Sequence, residues 1–289
     1  MTTGLTLKSR LAPQRMRTTV LHVITFLMLS LVAVSTVLPF LVMVSVSFTK
    51  NPLAITFPLK WIPDPITLAN YQQLISKTAI LRWIVNSFVV AGIATLGALV
   101  TSSMAGYAFA RGDFIGKTVL FAMFLSILMV PLEARIVPLF IVLAKMNLVN
   151  TYAALIGPAF ASIFGTFMLR QFYLGIPRDY DDAAVIDGAN RFQVYWIVLL
   201  PQIVPALATL GVLRFMGSWN EFLYPLVVTT SAQMRTLTVG LSTIVTAGAV
   251  GGVGIDMAGA VVGFIPTLII LLIGQRYLIE GVSLSGVKG

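Results

Sequence analysis

Apolar residues lie along the chain in six long blocks, and polar or charged residues gather in the stretches between them. No charged residue occurs from Val20 to Phe48 or from Trp83 to Ala110, and each of these blocks exceeds the roughly 20 residues that a membrane-spanning helix needs. Pro131 and Pro138 interrupt the third block, so we expect that helix to break near its outer end. The pattern predicts six transmembrane helices, at about residues 20–48, 83–110, 118–142, 147–169, 201–228 and 257–276.

Composition supports an all-α integral membrane protein. The 289 residues are 58% hydrophobic and 10% charged, with a mean hydropathy of +0.95, whereas soluble domains carry about 25% charged residues. The absence of cysteine excludes disulfides and thiolate metal sites. The single His22, at the start of the first block, is typical of a membrane interface rather than of a proton or metal site.

The basic residues predict the orientation. Six spans place both termini on one side of the membrane, with residues 1–18 as a segment before the first span. That side would hold Lys8, Arg10, Arg15, Arg17, Arg111, Lys117, Arg170, Arg178, Arg191, Arg276 and Lys288. The opposite side would hold Lys50, Lys60, Lys77, Arg82, Arg135, Lys145 and Arg235. The excess of basic residues on the first side favours cytoplasmic termini and explains the net charge of +9 better than nucleic-acid binding does.

Two stripes of small residues lie on the second span, and such stripes let neighbouring helices approach closely. They predict either tight packing within this subunit or packing against a partner subunit around a pore, and the pattern does not decide between these. The longer stripe recurs every four residues, and the two comprise Ala94, Ala98, Ser102, Gly106 and Ala110, and Gly97, Thr101 and Ala105.

The stretch 177–190, between the fourth and fifth blocks, holds four of the ten acidic residues of the chain. Pro177 suits the first turn of a helix, and three aspartates follow within about a turn, where the helix dipole favours negative charge. Gly188 is expected to end this helix, and a second helix to begin near Asn190. The residues alone leave two interpretations open, an ordinary solvated loop or a small-residue helix against which another protein docks.

This stretch resembles the EAA loop of ABC importer permeases. The spacing is that of the family's motif: Asp182-Ala-Ala is followed after three residues by Gly188, and after nine more by Val198-x-Leu-Pro201. Asp182 stands in place of the motif's Glu, and Val198 in place of its Ile. The extension Ile186-Asp-Gly-Ala is similar to the version found in carbohydrate-uptake permeases of the maltose type. Further motifs of that family match at Asn70–Tyr71, Trp83–Ser87, Tyr107–Arg111, Phe167–Phe172, Trp219–Pro225 and Gly281–Gly289.

The resemblance implies a six-helix permease domain over 19–289, with a cytoplasmic coupling loop over 174–200 in a bacterial or archaeal inner membrane. It implies a second homologous permease, two copies of an ABC ATPase, an extracytoplasmic solute-binding protein and a sugar substrate. ATP and Mg would be bound by the ATPase subunits, with no cofactor and no enzymatic activity in this chain. The residues that it implies for ATPase coupling are Asp182, Ala183, Ala184, Asp187, Gly188 and Arg191.

The sequence also bears on an intramembrane hydrolase and on an ion-coupled transporter as alternatives to an importer subunit. The stretch from Arg111 to Thr118 has only three residues between Gly112 and Gly116, whereas a phosphate-binding P-loop needs four, so ATP must be bound by another chain. An intramembrane hydrolase would need a catalytic motif, and neither His-Glu-x-x-His nor Gly-x-Ser-x-Gly occurs. An ion-coupled secondary transporter is the alternative that remains, since acids in a membrane can relay protons.

Arg214 falls about halfway along the fifth predicted span, where a charge usually faces a cavity or a partner. It is expected either to form a structural ion pair with Glu221 or Glu133, or to contact an anionic substrate such as an acidic or phosphorylated sugar. Further candidates for the substrate path lie on the same span, because aromatic faces and amides suit sugar rings and hydroxyl groups. These residues are Trp219, Asn220, Glu221 and Tyr224.

Overall fold

The computed structural model describes residues 5–50, 61–247 and 252–286, with side chains described between 19 and 277. These residues are mainly helical and contain no strand. The helices are α1 Leu5–Ser47, α2 Ala69–Lys77, α3 Ile80–Arg111, α4 Lys117–Ser126, α5 Leu132–Lys145, α6 Tyr152–Ile156, α7 Ile163–Gly175, α8 Asp179–Ile186, α9 Arg191–Gln193, α10 Leu200–Gln202, α11 Val204–Asn220, α12 Leu223–Val228, α13 Leu237–Ala247 and α14 Val253–Gly286. Lys60 and Lys288, which enter the predicted orientation, lie outside the described residues.

Four stretches among the described residues are long and apolar enough to cross a membrane, and there are up to six if each of two bent helix pairs is one span. The continuous stretches are Thr19–Ser47, Ile80–Arg111, Tyr152–Gly175 and Val253–Tyr277. The bent pairs are Lys117–Met129 with Leu132–Lys145, at 104°, and Arg191–Gln202 with Val204–Asn220, at 75°. The predicted all-α membrane fold is therefore confirmed, and six spans remain a prediction.

The breaks differ from the predicted spans. The third block breaks at Val130 and Pro131, in its middle rather than near its outer end, and both residues have extended backbone because proline disfavours helical geometry at the residue before it. The fourth block is interrupted by a 3₁₀ turn at Gly157–Phe160. The fifth is not continuous over 201–228, since α11 ends at Asn220 and Glu221 is extended.

Two compact units make up the described chain. The first contains residues up to 72 together with 252–261. Within it the Asn70 side-chain amide donates to the carbonyl oxygens of Ser47 (2.9 Å) and Thr49 (2.8 Å), while the Tyr71 and Ser47 hydroxyls lie 2.8 Å apart. A Cβ added at Gly254 would lie 2.6 Å from the Asn70 amide, so only glycine fits there. This pairing gives the Asn70–Tyr71 motif a structural role at the end of α1.

The second unit, residues 73–247 and 262–286, is organised around α3. Helices α7 and α11 are its main neighbours, and the longer small-residue stripe of α3 faces them. Ala94, Ala98 and Ala110 are at most 1% exposed, and a Cβ added at Gly106 would lie 3.0 Å from the backbone nitrogen of Arg170. Helices of this same chain therefore pack against the stripe. This favours tight packing within the subunit over packing against a partner subunit.

The first turns of α3 hold a loop of the same unit in place. Trp83 Nε1 donates to the carbonyl of Ala232 at 2.7 Å, and the Asn86 amide donates to the carbonyls of Gln233 and Arg235 at 2.7 and 2.8 Å. These bonds satisfy backbone groups that have no helical partner. The Trp83–Ser87 motif therefore fixes a distant loop.

We predict that replacing Gly106 with leucine destabilises the protein by about 1–3 kcal/mol, because the new side chain would collide with the α7 backbone. Gly92 lies on the same helix with no atom within 4 Å of an added Cβ, so Gly92→Leu is the matched control. The measurement is the melting temperature of the purified complex in detergent. Equal melting temperatures for the two variants would contradict close packing of α3 on α7.

Candidate functional site

Helix α8 is the short acidic helix that the sequence predicts. Asp179, Asp181 and Asp182 all lie in its first turn, where negative charge is stabilised. Pro177 precedes the helix, with Arg178 at its N-cap, and so is not part of the first turn as predicted. The helix ends because Gly188 has a φ of +85°, a left-handed conformation that glycine adopts without steric cost.

The second helix begins at Asn190, as predicted. The Asn190 side-chain oxygen accepts from the backbone nitrogens of Phe192 and Gln193, both at 3.0 Å, and Gln193 Oε1 accepts from the Asn190 nitrogen at 2.8 Å. This reciprocal capping box satisfies donors that a helix start leaves free. A π-helical segment follows at Val194–Leu199, and such segments are frequent at functional sites.

The predicted coupling residues divide between the surface and the interior. Asp182, Ala183, Asp187, Gly188 and Arg191 are exposed, as are two apolar neighbours, Val185 (58%) and Ile186 (85%). These residues form the exposed α8 face.

Ala184 points the other way, since it is 8% exposed and belongs to a cluster with Leu199, Leu169 and Ala110. The inner side of α8 thus packs into the cluster formed with α3, α7 and the π-helical segment, while the exposed α8 face is not covered by the described residues.

An ion pair joins α8 to the end of α3. Arg111 Nε lies 3.1 Å from Asp181 Oδ2, with side-chain exposures of 8% and 20%, and Arg111 Nη2 donates to the carbonyl of Ile176 at 2.7 Å. No other ion pair is recorded among the side chains described between residues 19 and 277. Sequence reasoning missed this contact, because it explained Arg111 by orientation and Asp181 by the helix dipole. The available signal in the sequence was the charge of Arg111 at the end of an apolar span, which needs a partner.

A buried hydroxyl cluster adds a second tie between the same elements. Ser103 Oγ lies 2.8 Å from the Tyr173 hydroxyl and accepts from the Tyr195 hydroxyl at 2.9 Å. These side chains come from α3, α7 and the π-helical segment, respectively. Buried polar networks of this kind specify one arrangement of the packed elements. The sequence analysis did not single these residues out.

Lys117 has a structural role at the end of α3. Its Nζ donates to the carbonyl of Gly112 at 2.8 Å, and a cation there complements the negative end of the helix dipole. The lysine of the apparent phosphate-loop pattern is therefore engaged as a helix cap.

The substrate-path candidates on α11 and α12 do not form one cluster. Trp219 is 2% exposed, stacks on Phe215 and donates from Nε1 to the Gly263 carbonyl at 3.1 Å, so its ring is mainly a packing element. Asn220 is exposed. Glu221 Oε1 accepts from the Tyr224 nitrogen at 3.4 Å, and the Tyr224 hydroxyl donates to the carbonyl of Ala154.

A cleft of about 270 Å³ lies where α11, α13 and α14 meet. Trp219 and Asn220 contribute to its wall, together with Thr238 and Thr267. Arg214, Glu221 and Tyr224 are not among the residues that line it. Of the substrate-path candidates, only Trp219 and Asn220 therefore lie at this cleft.

Arg214 has a different partner from those that the sequence suggested. Its Nη2 donates to the carbonyl of Ala159 at 3.1 Å, and no carboxylate of the described side chains lies within ion-pair distance. The ion pair with Glu221 or Glu133, one of the two roles expected for Arg214, is therefore not formed among the described side chains. Ala159 lies in the 3₁₀ turn between α6 and α7, where a helix break leaves carbonyl groups without helical partners.

Comparison with known families identifies the chain. Residues 98–283 match the model of the family described as binding-protein-dependent transport system inner membrane component. This region includes α8, its anchoring cluster and the C-terminal part of α3. The chain belongs to this family. It is accordingly a transport-system permease and not an enzyme.

Two curated relatives cover most of the permease. It is 37% identical over 246 residues to the arabinooligosaccharides transport system permease protein of Halalkalibacterium halodurans, covering 85% of this chain and 86% of the relative. It is 32% identical over 265 residues to the trehalose/maltose transport system permease protein of Thermococcus litoralis, covering 90% and 94%.

A solved structure shares the fold of the permease. It is a crystal structure of a bacterial ABC transporter involved in the import of the acidic polysaccharide alginate, with a TM-score of 0.79 and 20% identity over 89% of this chain and 96% of the other. At that identity the likeness establishes the fold alone. The predicted family and fold class are thus confirmed.

We predict that Asp181→Asn loosens α8 and speeds tryptic cleavage at Arg178 and Arg191, which flank the helix and are exposed. Without the carboxylate the mostly buried Arg111 loses its ion-pair partner, so cleavage should become at least severalfold faster. Asp182→Asn is the control, because Asp182 is exposed and has no recorded ion pair. The measurement is limited proteolysis of the purified protein without ATPase. Equal cleavage rates in the two variants would contradict the anchoring role of the ion pair.

Proposed function

We propose that this permease forms half of the translocation path of an ATP-driven, binding-protein-dependent importer, and that α8 couples it to the ATPase. The observation that carries the proposal is α8 itself. Its exposed face has short side chains at Asp182 and Ala183, while its inner face is fixed to the membrane helices. A helix that is rigidly anchored on one side and exposed on the other can transmit a displacement to the membrane helices, whereas a flexible loop cannot.

Motion of α8 would reach the membrane helices by two routes. The Arg111–Asp181 ion pair leads to α3, whose stripe packs against α7. The capping box and the π-helical segment lead through α10 to α11. Closure of the ATPase subunits on ATP would therefore move α8, α3 and α11 together, which would open the path between this permease and a second, homologous one.

A carbohydrate is the proposed substrate class. The two curated relatives are named for arabinooligosaccharides and for trehalose/maltose, and they match nearly their whole length. An oligosaccharide or sugar derivative would reach the path from an extracytoplasmic solute-binding protein. The proposed setting is a bacterial or archaeal inner membrane, with both termini and α8 on the cytoplasmic side, where two ATPase copies bind.

The proposal is tested with the complete complex in proteoliposomes. If import is driven by ATP, sugar uptake requires ATP inside the proteoliposomes and the binding protein outside. Uptake then continues when proton gradients are abolished. Uptake driven by a proton gradient without ATP would favour the ion-coupled alternative and overturn the proposal.

We predict that Gly188→Leu and Asp182→Lys each uncouple ATP hydrolysis from transport. A leucine at the φ of +85° of Gly188 is strained by about 1–2 kcal/mol, which distorts the turn after α8. Lysine reverses a charge on the exposed α8 face. The readout is sugar imported per ATP hydrolysed, with Gly175→Leu as a control, because an added Cβ at Gly175 meets no atom within 4 Å. Normal ratios in both variants would contradict the coupling role of α8.

A further inference from the structure

The charge of Arg214 is not neutralised within the described part of this chain. The guanidinium makes one recorded hydrogen bond, from Nη2 to Ala159, although it carries five N–H donors. Its Nε is shielded from solvent and has no hydrogen-bond partner. A cation within a membrane span is costly, and such residues usually face a cavity or a partner. The balancing anion must therefore come from outside these residues.

The acids nearest in the sequence are placed elsewhere. Glu221 accepts from the Tyr224 nitrogen at the start of α12, and Glu133 is exposed in the first turn of α5. The carbonyl of Ala159 supplies only a partial negative charge. Arg214 is half-buried, so part of the side chain remains open to an incoming group.

The helix break beside Arg214 indicates that the open part of this side chain does not face lipid. Gly157, Phe160 and Ala161 are exposed, although they interrupt a stretch long enough to span the membrane. Irregular backbone at membrane depth occurs only where it is buried in protein or lines a water-filled cavity, because lipid cannot satisfy its polar groups. Substrate sites in transporters commonly lie at such discontinuous helices.

We propose that Arg214 binds the anionic group of the transported sugar derivative, a carboxylate or phosphate, as it passes the break between α6 and α7. This inference rests on the proposed import function and specifies its substrate class. The free donors of a guanidinium suit a two-point contact with such a group. A permanent carboxylate partner would already occupy these donors, whereas a substrate must bind and leave.

The test uses the complete complex in proteoliposomes with two anionic probes, digalacturonate and glucose 6-phosphate, and two neutral probes, maltose and arabinobiose. The wild type should import at least one anionic probe in preference to the neutral ones. Arg214→Gln should lower the kcat/KM of anionic uptake about tenfold or more and change neutral uptake less than about twofold. Arg214→Lys should be intermediate, since lysine keeps the charge without the planar fork.

Thr101→Val is the matched control, because Thr101 donates to the neighbouring Phe160 carbonyl of the same break without carrying a charge. It should leave the ratio of anionic to neutral uptake unchanged. The inference is overturned if no anionic probe is imported, if Arg214→Gln lowers both kinds of uptake equally, or if Thr101→Val shifts the ratio as strongly.

Three further outcomes separate the possible sources of failure. Loss of complex assembly in Arg214→Gln would show that a carboxylate of the second permease is the partner, and would overturn the substrate role. ATP-dependent import of neutral probes alone would overturn this inference and leave the proposed function standing. ATP-independent import of every probe would overturn both.

Discussion

Close contact along the small-residue face of α3 is the interaction on which the rest of the second unit depends. Lipid tails are as apolar as leucine, so membrane helices gain little from hydrophobic burial against each other and associate through close packing instead. Gly106 lets α7 approach to backbone distance, and Ala98 on the same face is fully buried. Once α3 and α7 are fixed in this way, the end of α3 presents Arg111 at the position where α8 can pair with it.

The same helix joins the two features that concern function. At one end the Arg111–Asp181 ion pair and the Ser103 hydroxyl cluster hold the acidic helix and the π-helical segment. Farther along, Thr101 donates to the carbonyl of Phe160 at the break that Arg214 also caps. In the proposed coupling, a displacement of α8 would be carried to the break by these packed side chains and polar contacts.

Local patterns predicted much of this arrangement. The apolar blocks indicated the membrane helices, and the spacing from Asp182 to Pro201 indicated α8, the turn at Gly188 and the helix start at Asn190, because capping and turn residues act on their immediate neighbours. The third block bends at Pro131, one of the two prolines that the sequence analysis named, but earlier in the block than expected. The breaks at Gly157–Phe160 and at Glu221 were not predicted. The contacts Arg111–Asp181 and Arg214–Ala159 were missed, because a local pattern can mark a charged residue but does not say which residue about 55 or more positions away it meets.

The most direct test of the coupling account is a charge swap at the joint between α8 and α3. Arg111→Asp and Asp181→Arg would be made singly and together in the complete transporter, and sugar imported per ATP hydrolysed would be measured in proteoliposomes. The account predicts that each single change lowers this ratio severalfold, because like charges then face each other, and that the double change restores most of it. Unchanged ratios in the single variants, or a double variant no better than either, would contradict the claim that α8 drives α3 through this ion pair.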